Sequence, residues 1–247
     1  MKKSIALFAL IALCFGCSSP RAWTYKSEPF VKQSPIINKT VVVPPFSDQR
    51  TNENSNYLAM YLIPLMPFGW QDFNTPEGSN LHCSSGLWQF RPNEDFAKAV
   101  AEEVHNASIF KEAFFSFKTG DGDLILRGKI EATGYNCKMI TYGLSVYGPL
   151  LWYFGFPSTV VDNQLHMNLK LVDQRTEDVI WERSFKKNDG NVSVGIYSFK
   201  SDFLYDNLMK EIMKEAIPDL RLKLAEYQKK QTAINDKFKI IPVISKE

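Results

Sequence analysis

Between Leu165 and Phe185 the chain alternates, and that alternation limits the fold more than any other feature. Leu165, Met167, Leu169 and Leu171 take every second position, with His166, Asn168 and Lys170 between them. A period of two puts successive side chains on opposite faces of a strand, so one face is apolar and the other wet. Asp173 to Asp178 is turn-like, and Val179-Ile180-Trp181 through Phe185 returns, which predicts a β-hairpin. The stretch 123–131 repeats the signature, with Leu124, Leu126 and Ile130 inward and Arg127, Lys129 and Glu131 outward. A sheet with one apolar face must bury it against a second layer.

Two helices supply that layer. The first, 93–110, opens with Asn93 as N-cap and with Glu94 and Asp95 in the first turn, where the helix dipole favours acids. Phe96, Val100 and Val104, with Ala97 and Ala107, make one apolar stripe at helical spacing. The second is capped by Ser201-Asp202 and bears Leu204, Leu208, Met209, Ile212, Met213 and Ala216. Pro218 kinks or restarts it, and Leu220, Leu222 and Leu224 carry it towards Lys230. Val41-Val42-Val43 is a short β-branched strand stopped by Pro44-Pro45. At 45% hydrophobic and 23% charged, the composition is that of a globular chain. The expectation is an α/β fold over 40–230: one two-layer sandwich whose mixed or antiparallel sheet packs with two main helices. Residues 231–247 have lost the pattern and read as a C-terminal tail.

The N-terminus has a different logic. Lys2 and Lys3 precede an uncharged, mostly apolar run over 5–15, and Gly16 stands before Cys17. That is the layout of a bacterial secretory signal, and its ending resembles a lipobox, with Cys14 where such boxes usually carry Leu. The resemblance implies cleavage after residue 16 and a diacylglycerol- and palmitate-bearing Cys17. Ser18 in place of Asp is similar to lipoproteins passed on to the outer membrane, facing the periplasm. The apolar run of about eleven residues is short of a membrane span. Residues 18–39, rich in Ser, Pro and Lys, complete a flexible tether over 17–39 that lifts the domain off the membrane.

Lys39-Thr40-Val41-Val42-Val43-Pro44-Pro45-Phe46-Ser47-Asp48-Gln49-Arg50 is similar to the opening of several envelope lipoproteins. These are the curli-secretion-channel group and the amino-terminal domain of the Tol-system β-propeller protein. The likeness continues through Ser108-Ile109-Phe110-Lys111, the strand from Leu124 and Val179-Ile180-Trp181. It implies the same α/β fold and an accessory role in an envelope complex, with an envelope protein as partner and a homo-oligomer as one form.

The formal charge of +2 comes entirely from Lys2 and Lys3, so the rest of the chain is balanced. Nucleic-acid binding needs a basic field to neutralise phosphates, and that class is excluded. Cys83 and Cys137 either stay as buried thiols or form a bridge, stabilising by about 2–4 kcal/mol. His82, Cys83, Cys137 and His166 lack the close-spaced ligand pairs of a zinc site. Asp121-Gly122-Asp123 begins like a calcium loop, but Ile125 and Arg127 stand where oxygen ligands belong. Gly143-Leu144-Ser145-Val146-Tyr147-Gly148 has its second glycine one place late for a nucleophile elbow. A hydrolase would require Ser145 exposed with a histidine in reach. Asp48 and Arg50 read as a loop brace. The expectation is a protein that binds and does not catalyse, with no cofactor and no metal.

Two segments, 57–70 and 140–161, contain no charge and are dense in aromatic residues. Tyr57, Tyr61, Phe68, Trp70, Tyr142, Tyr147, Trp152, Tyr153 and Phe154 are the candidate contact surface. Three readings stay open. The segments pack on each other and on the sheet. Alternatively they form an exposed aromatic surface for a partner or the membrane interface. In the third, 140–157 is a membrane-inserting β-hairpin of an oligomeric outer-membrane channel or secretion assembly.

Overall fold

The structure, a computed structural model, describes residues 21–27, 34–78, 88–196 and 201–239. The first strands are β1 (Arg21–Ala22), β2 (Ile37–Val43), β3 (Ser47–Asp48), β4 (Asn54–Tyr57) and β5 (Phe68–Phe73). Then come β6 (Trp88–Gln89), β7 (Phe110–Phe115), β8 (Leu124–Ile140), β9 (Pro157–Asp173) and β10 (Val179–Val194). The helices are α1 (Pro92–Asn106), the short α2 (Pro149–Trp152) and α3 (Tyr205–Lys239). Eight strands make one mixed sheet whose main path runs β10-β9-β8-β2-β7, while β1 and β6 pair apart from it. With α1 and α3 covering one face, the fold is the expected α/β sandwich.

The meander β8-β9-β10 is antiparallel throughout, each strand about 55 Å long at 3.3 Å per residue. On its other side β8 has two successive neighbours. β2 lies parallel to its start, pairing Val41 with Leu124, and β3 follows with Ser47 beside Lys129. β5 then runs antiparallel to its end, from Phe73 beside Tyr135 to Phe68 beside Ile140. The parallel pair β2-β7 needs a crossover, and α1 supplies it.

The predicted alternation is realised. Leu124, Leu126, Ile130, Leu165, Met167, Leu169, Leu171, Trp181 and Phe185 are all buried, facing the stripes of α1 and α3. A register shift falls between Ile130 and Ala132. After it the buried positions on β8 become Thr133, Tyr135 and Cys137, so the apolar side changes from even to odd numbers. A bulge is the means by which a strand changes phase without changing face. Gly128 is needed where Phe46 crosses β8, because a Cβ there would lie 2.5 Å from the ring.

Several boundaries differ from the sequence reading. α1 begins at Pro92 and not after an Asn93 cap, and Asp95 Oδ2 accepts the Arg91 N–H at 2.8 Å. It ends at Asn106 because Ser108 turns left-handed (φ 49°), which frees Phe110–Phe115 to form β7. Asp202 does not cap α3; it is buried beneath it, and the helix starts at Tyr205. α3 runs unbroken through Pro218, which lies on the exposed side, where a carbonyl deprived of its helical donor can bond water. The predicted tail is helical as far as Lys239. The predicted tether is also shortened: Trp23 and Tyr25 are buried in the main core, Trp23 packing edge-on against Phe90 and Phe96.

Where the helical layer ends, buried polar side chains fasten the start of α3 to the sheet. Tyr135 OH donates to Asp202 Oδ2 at 2.9 Å. Asn163 Nδ2 donates to the Asp202 carbonyl at 3.1 Å, and its Oδ1 accepts the Leu204 N–H at 3.0 Å. Tyr205 OH bonds the carbonyls of Thr133 and Gly134 at 3.0 and 2.9 Å. Nearby, the hidden Arg50 guanidinium is held by Asp48 and Glu77 and donates to Thr133 Oγ1 at 2.5 Å, bracing β3 on β8.

Asn163→Leu removes two bonds at once and leaves buried backbone groups unmet. We expect it to lower unfolding free energy by about 2–4 kcal/mol, measured by urea denaturation. Acid weakens the fold by a separate route. The Arg50 hydrogen bond holds the Asp48 carboxyl below its ordinary value. Burial pushes Asp173 up, but bonds from Lys39 and the Arg175 N–H outweigh it and leave it lowered. Both folded values lie below the unfolded ones, so this stabilisation is complete above about pH 4 and is lost as pH falls further. The urea midpoint is expected to drop on acidification below that point, and to drop less for Asp48→Asn with Asp173→Asn.

Candidate functional site

The two uncharged segments meet because of one strand pairing. Setting Phe68 beside Ile140 brings the β4-β5 connection, 58–67, and the β8-β9 connection, 141–156, to the same end of the sheet. Pro67 O accepts the N–H groups of Thr141 and Tyr142 at 2.8 and 2.9 Å. Leu65 N–H donates to Gly143 O at 2.9 Å, and the Ser145 hydroxyl donates to the Leu62 carbonyl. Together the connections form a single tip projecting from the long hairpin.

No strand exists between 141 and 156, which corrects the inserted β-hairpin reading of 140–157. Tyr142 (φ 59°), Gly143 (φ 79°) and Ser145 (φ 52°) are left-handed, and this ends the extended run. A 3₁₀ turn at Ser145–Tyr147 follows, and Gly148 then leads into α2 with helical dihedrals, where the sequence suggests a hairpin turn. Of the five non-glycine residues with positive φ among those described, Leu65, Tyr142 and Ser145 lie in the tip. Such conformations persist only where surrounding contacts hold them.

The outer side of the tip is apolar. Leu65 is 88% exposed, Phe154 79% and Tyr147 69%, with Leu62, Ile63, Leu144, Val146, Leu150, Tyr153 and Phe156 also exposed. These ten side chains together leave on the order of 1,000 Å² in water. No charged residue occurs from 54 to 71 or from 139 to 161. Of the predicted contact residues, Tyr57, Tyr147, Tyr153 and Phe154 are exposed, while Tyr61, Phe68, Trp70 and Tyr142 are half-buried. Tyr57 and Phe68 pack on Trp70 with centroids 5.2 and 5.9 Å apart.

Trp152 is the correction: it is buried, and its Nε1 donates to Ile140 O at 2.9 Å, closing the end of β8. Tyr142 OH donates to Pro157 O at 2.7 Å, and burial pushes its phenol up. The aliphatic half of the surface, led by Leu65, escapes a reading that weighs aromatics alone. The signal for it is Pro64 and Pro67 on either side of Leu65, which force a turn within an apolar run.

The remaining chemical motifs are structural where they are described. Ser145 is buried with its hydroxyl occupied by the Leu62 carbonyl. Asp123 Oδ2 accepts the Thr40 N–H at 2.9 Å. His166 Nε2 lies 2.9 Å from Glu131. Among the described residues no three His, Cys, Asp or Glu side chains gather as metal ligands. Cys137 is buried beside Tyr135, Phe73 and Val161 and is disulfide-bonded; Cys17, His82 and Cys83 lie outside the described residues.

Gly148→Ala tests how the tip is held, because the added Cβ would sit 2.5 Å from the Thr141 carbonyl oxygen. Chymotrypsin is expected to cut within 141–156 at least about tenfold faster in this variant, with the urea midpoint of the main core nearly unchanged.

No known protein-family model matches the chain, and no curated protein does. Solved structures that it matches include a DUF330-family protein from Xanthomonas campestris, at 13% identity and TM-score 0.46, covering 87% of this chain and 99% of that one. Another is a neuraminyllactose-binding hemagglutinin homolog from Helicobacter pylori, at 9% identity and TM-score 0.41, with the same coverage.

Proposed function

We propose that this chain is a lipid-anchored protein of the bacterial cell envelope that works by binding, without catalysis, in an accessory role in an envelope complex. Cys17 carries the lipid, the location is the periplasmic face of the outer membrane, and Cys83 is the partner of Cys137. The tip formed by 58–67 and 141–156 is the contact surface. The observation that carries the reading is the meeting of the two charge-free segments in one fixed, outward apolar surface. Leaving that much apolar area in water opposes solubility, and a binding surface is the usual reason a protein keeps it. The Tyr142 and Ser145 hydroxyls and the Trp152 indole N–H are each engaged by a carbonyl within the tip or at its base, so what the surface mainly offers is apolar contact area.

Fractionation tests the anchor. Wild type is expected to stay with membranes through a carbonate wash and to leave in detergent, whereas Cys17→Ser exported by a cleavable ordinary signal comes off in carbonate. Release of the wild type by carbonate would refute the lipid anchor.

A further inference from the structure

We propose that the occupant of the tip is the bilayer itself: the loops 58–67 and 141–156 form a second, shallow membrane contact beside the lipid on Cys17. This rests on the reading of the tip as the contact surface and names what it touches. The anchor's reach is the first reason. Because Arg21 and Ala22 already pair with β6 and Trp23 is packed in the core, only residues 17–20 separate Cys17 from the fold. Four residues span at most about 14 Å, so the domain lies against the membrane and is not lifted from it. Trp23 packs on Phe90, which stacks on Tyr205, and Tyr205 is bonded to the middle of β8 at Thr133. The end of β8 at Ile140 is seven residues further, about 23 Å, so the tip meets the same bilayer when the long hairpin lies inclined to the membrane plane.

Charge is the second reason. Interfaces between proteins carry a polar rim around an apolar centre. Here the nearest charged residues, Glu53, Asp72, Lys138 and Asp162, all stand outside the two segments. A surface free of charge enters the headgroup region with no ion to desolvate. The layering fits as well. Leu65 and Phe154 are the most exposed, and the less exposed Tyr57, Trp70 and Tyr142 at the same end of the sheet carry polar atoms, the residue types that aromatic belts place at a membrane interface. The Lys138 ammonium lies 5.4 Å over the Phe68 ring, its stem covering apolar surface while its charge stays outside. The loops are also tied to each other by hydrogen bonds, so contact does not first have to order them.

Vesicles of phosphatidylcholine alone, and of phosphatidylethanolamine with phosphatidylglycerol, provide the test. The full chain with Cys17→Ser is compared with the same chain carrying Leu65→Asp and Phe154→Asp, after circular dichroism and urea unfolding show both folded. The first is expected to bind both vesicle types alike and independently of salt, and the second at least about tenfold more weakly. In a third protein, Phe154→Trp on the Cys17→Ser background, the emission that the new indole adds over the parent with its five tryptophans is expected to shift to the blue and to be quenched by shallowly brominated lipid. That readout follows the tip whatever the leader does. The proposal is overturned if the indole keeps its emission on vesicle binding, or if binding needs anionic lipid and low salt. Sedimentation showing a lipid-free dimer that the two aspartates abolish would overturn it too, assigning the tip to a second copy. If vesicles fail while the aspartates remove a specific cross-link to another envelope protein in cells, the contact-surface reading survives and the bilayer does not. Carbonate release of the wild type rejects the Cys17 anchor independently of all of these.

Discussion

The structure depends on β8 keeping one face dry over 17 residues while its neighbours change. Its first half looks into the core beneath α1 and α3; its second half looks into a smaller cluster of Phe73, Tyr135, Cys137 and Val161. The extra residue at the bulge after Ile130 makes both possible, since an unbroken alternation would have turned Tyr135 and Cys137 to the other face. β9 opposite it needs no such change, and its odd residues from Val161 to Leu171 stay buried throughout. From this strand the rest is placed. β2 uses its start, β5 uses its end, and the β5 register sets the two uncharged connections side by side.

The parts legible from sequence are those where one periodicity governs a whole element. The stripe Phe96-Val100-Val104 and the alternation Leu165 to Leu171 each name the buried face correctly, because burial there is decided locally. What is lost depends on partners distant in the chain. Phe110–Phe115 alternates poorly and follows a strong helix, so nothing local marks it as the strand that β2 requires. Trp23 and Tyr25 stand among tether-like residues; Trp23 becomes core through Phe90 and Phe96, and Tyr25 through Trp23. The even-numbered apolar residues from Ile140 mimic a strand, and of the left-handed residues that end it only Gly143 is of a type that announces such a turn, while Tyr142 and Ser145 are not.

The candidate contact surface is half legible for a related reason. Absence of charge over 57–70 and 140–161 is a property of sequence and finds the right segments. Which members face outward is a property of packing. Trp152 looks like the strongest surface anchor, yet its indole N–H has one good acceptor, the Ile140 carbonyl, and reaching it buries the ring. Leu65 looks ordinary and is the most exposed large residue of the tip, because the flanking prolines and its left-handed backbone leave it nothing to pack on.

The division into two apolar clusters bears on how such a surface can be kept. The exposed side chains of the tip belong to neither cluster, and what fastens the tip is backbone hydrogen bonding together with the inward Tyr142, Ser145 and Trp152. Substitutions on its outer side therefore remove little burial, while the fold is held elsewhere, by the helical layer and by the clamp of Tyr135, Asn163 and Tyr205. An outward leucine or phenylalanine in that setting contributes almost nothing to folding. A broad surface without charge is suited to an apolar or interfacial partner.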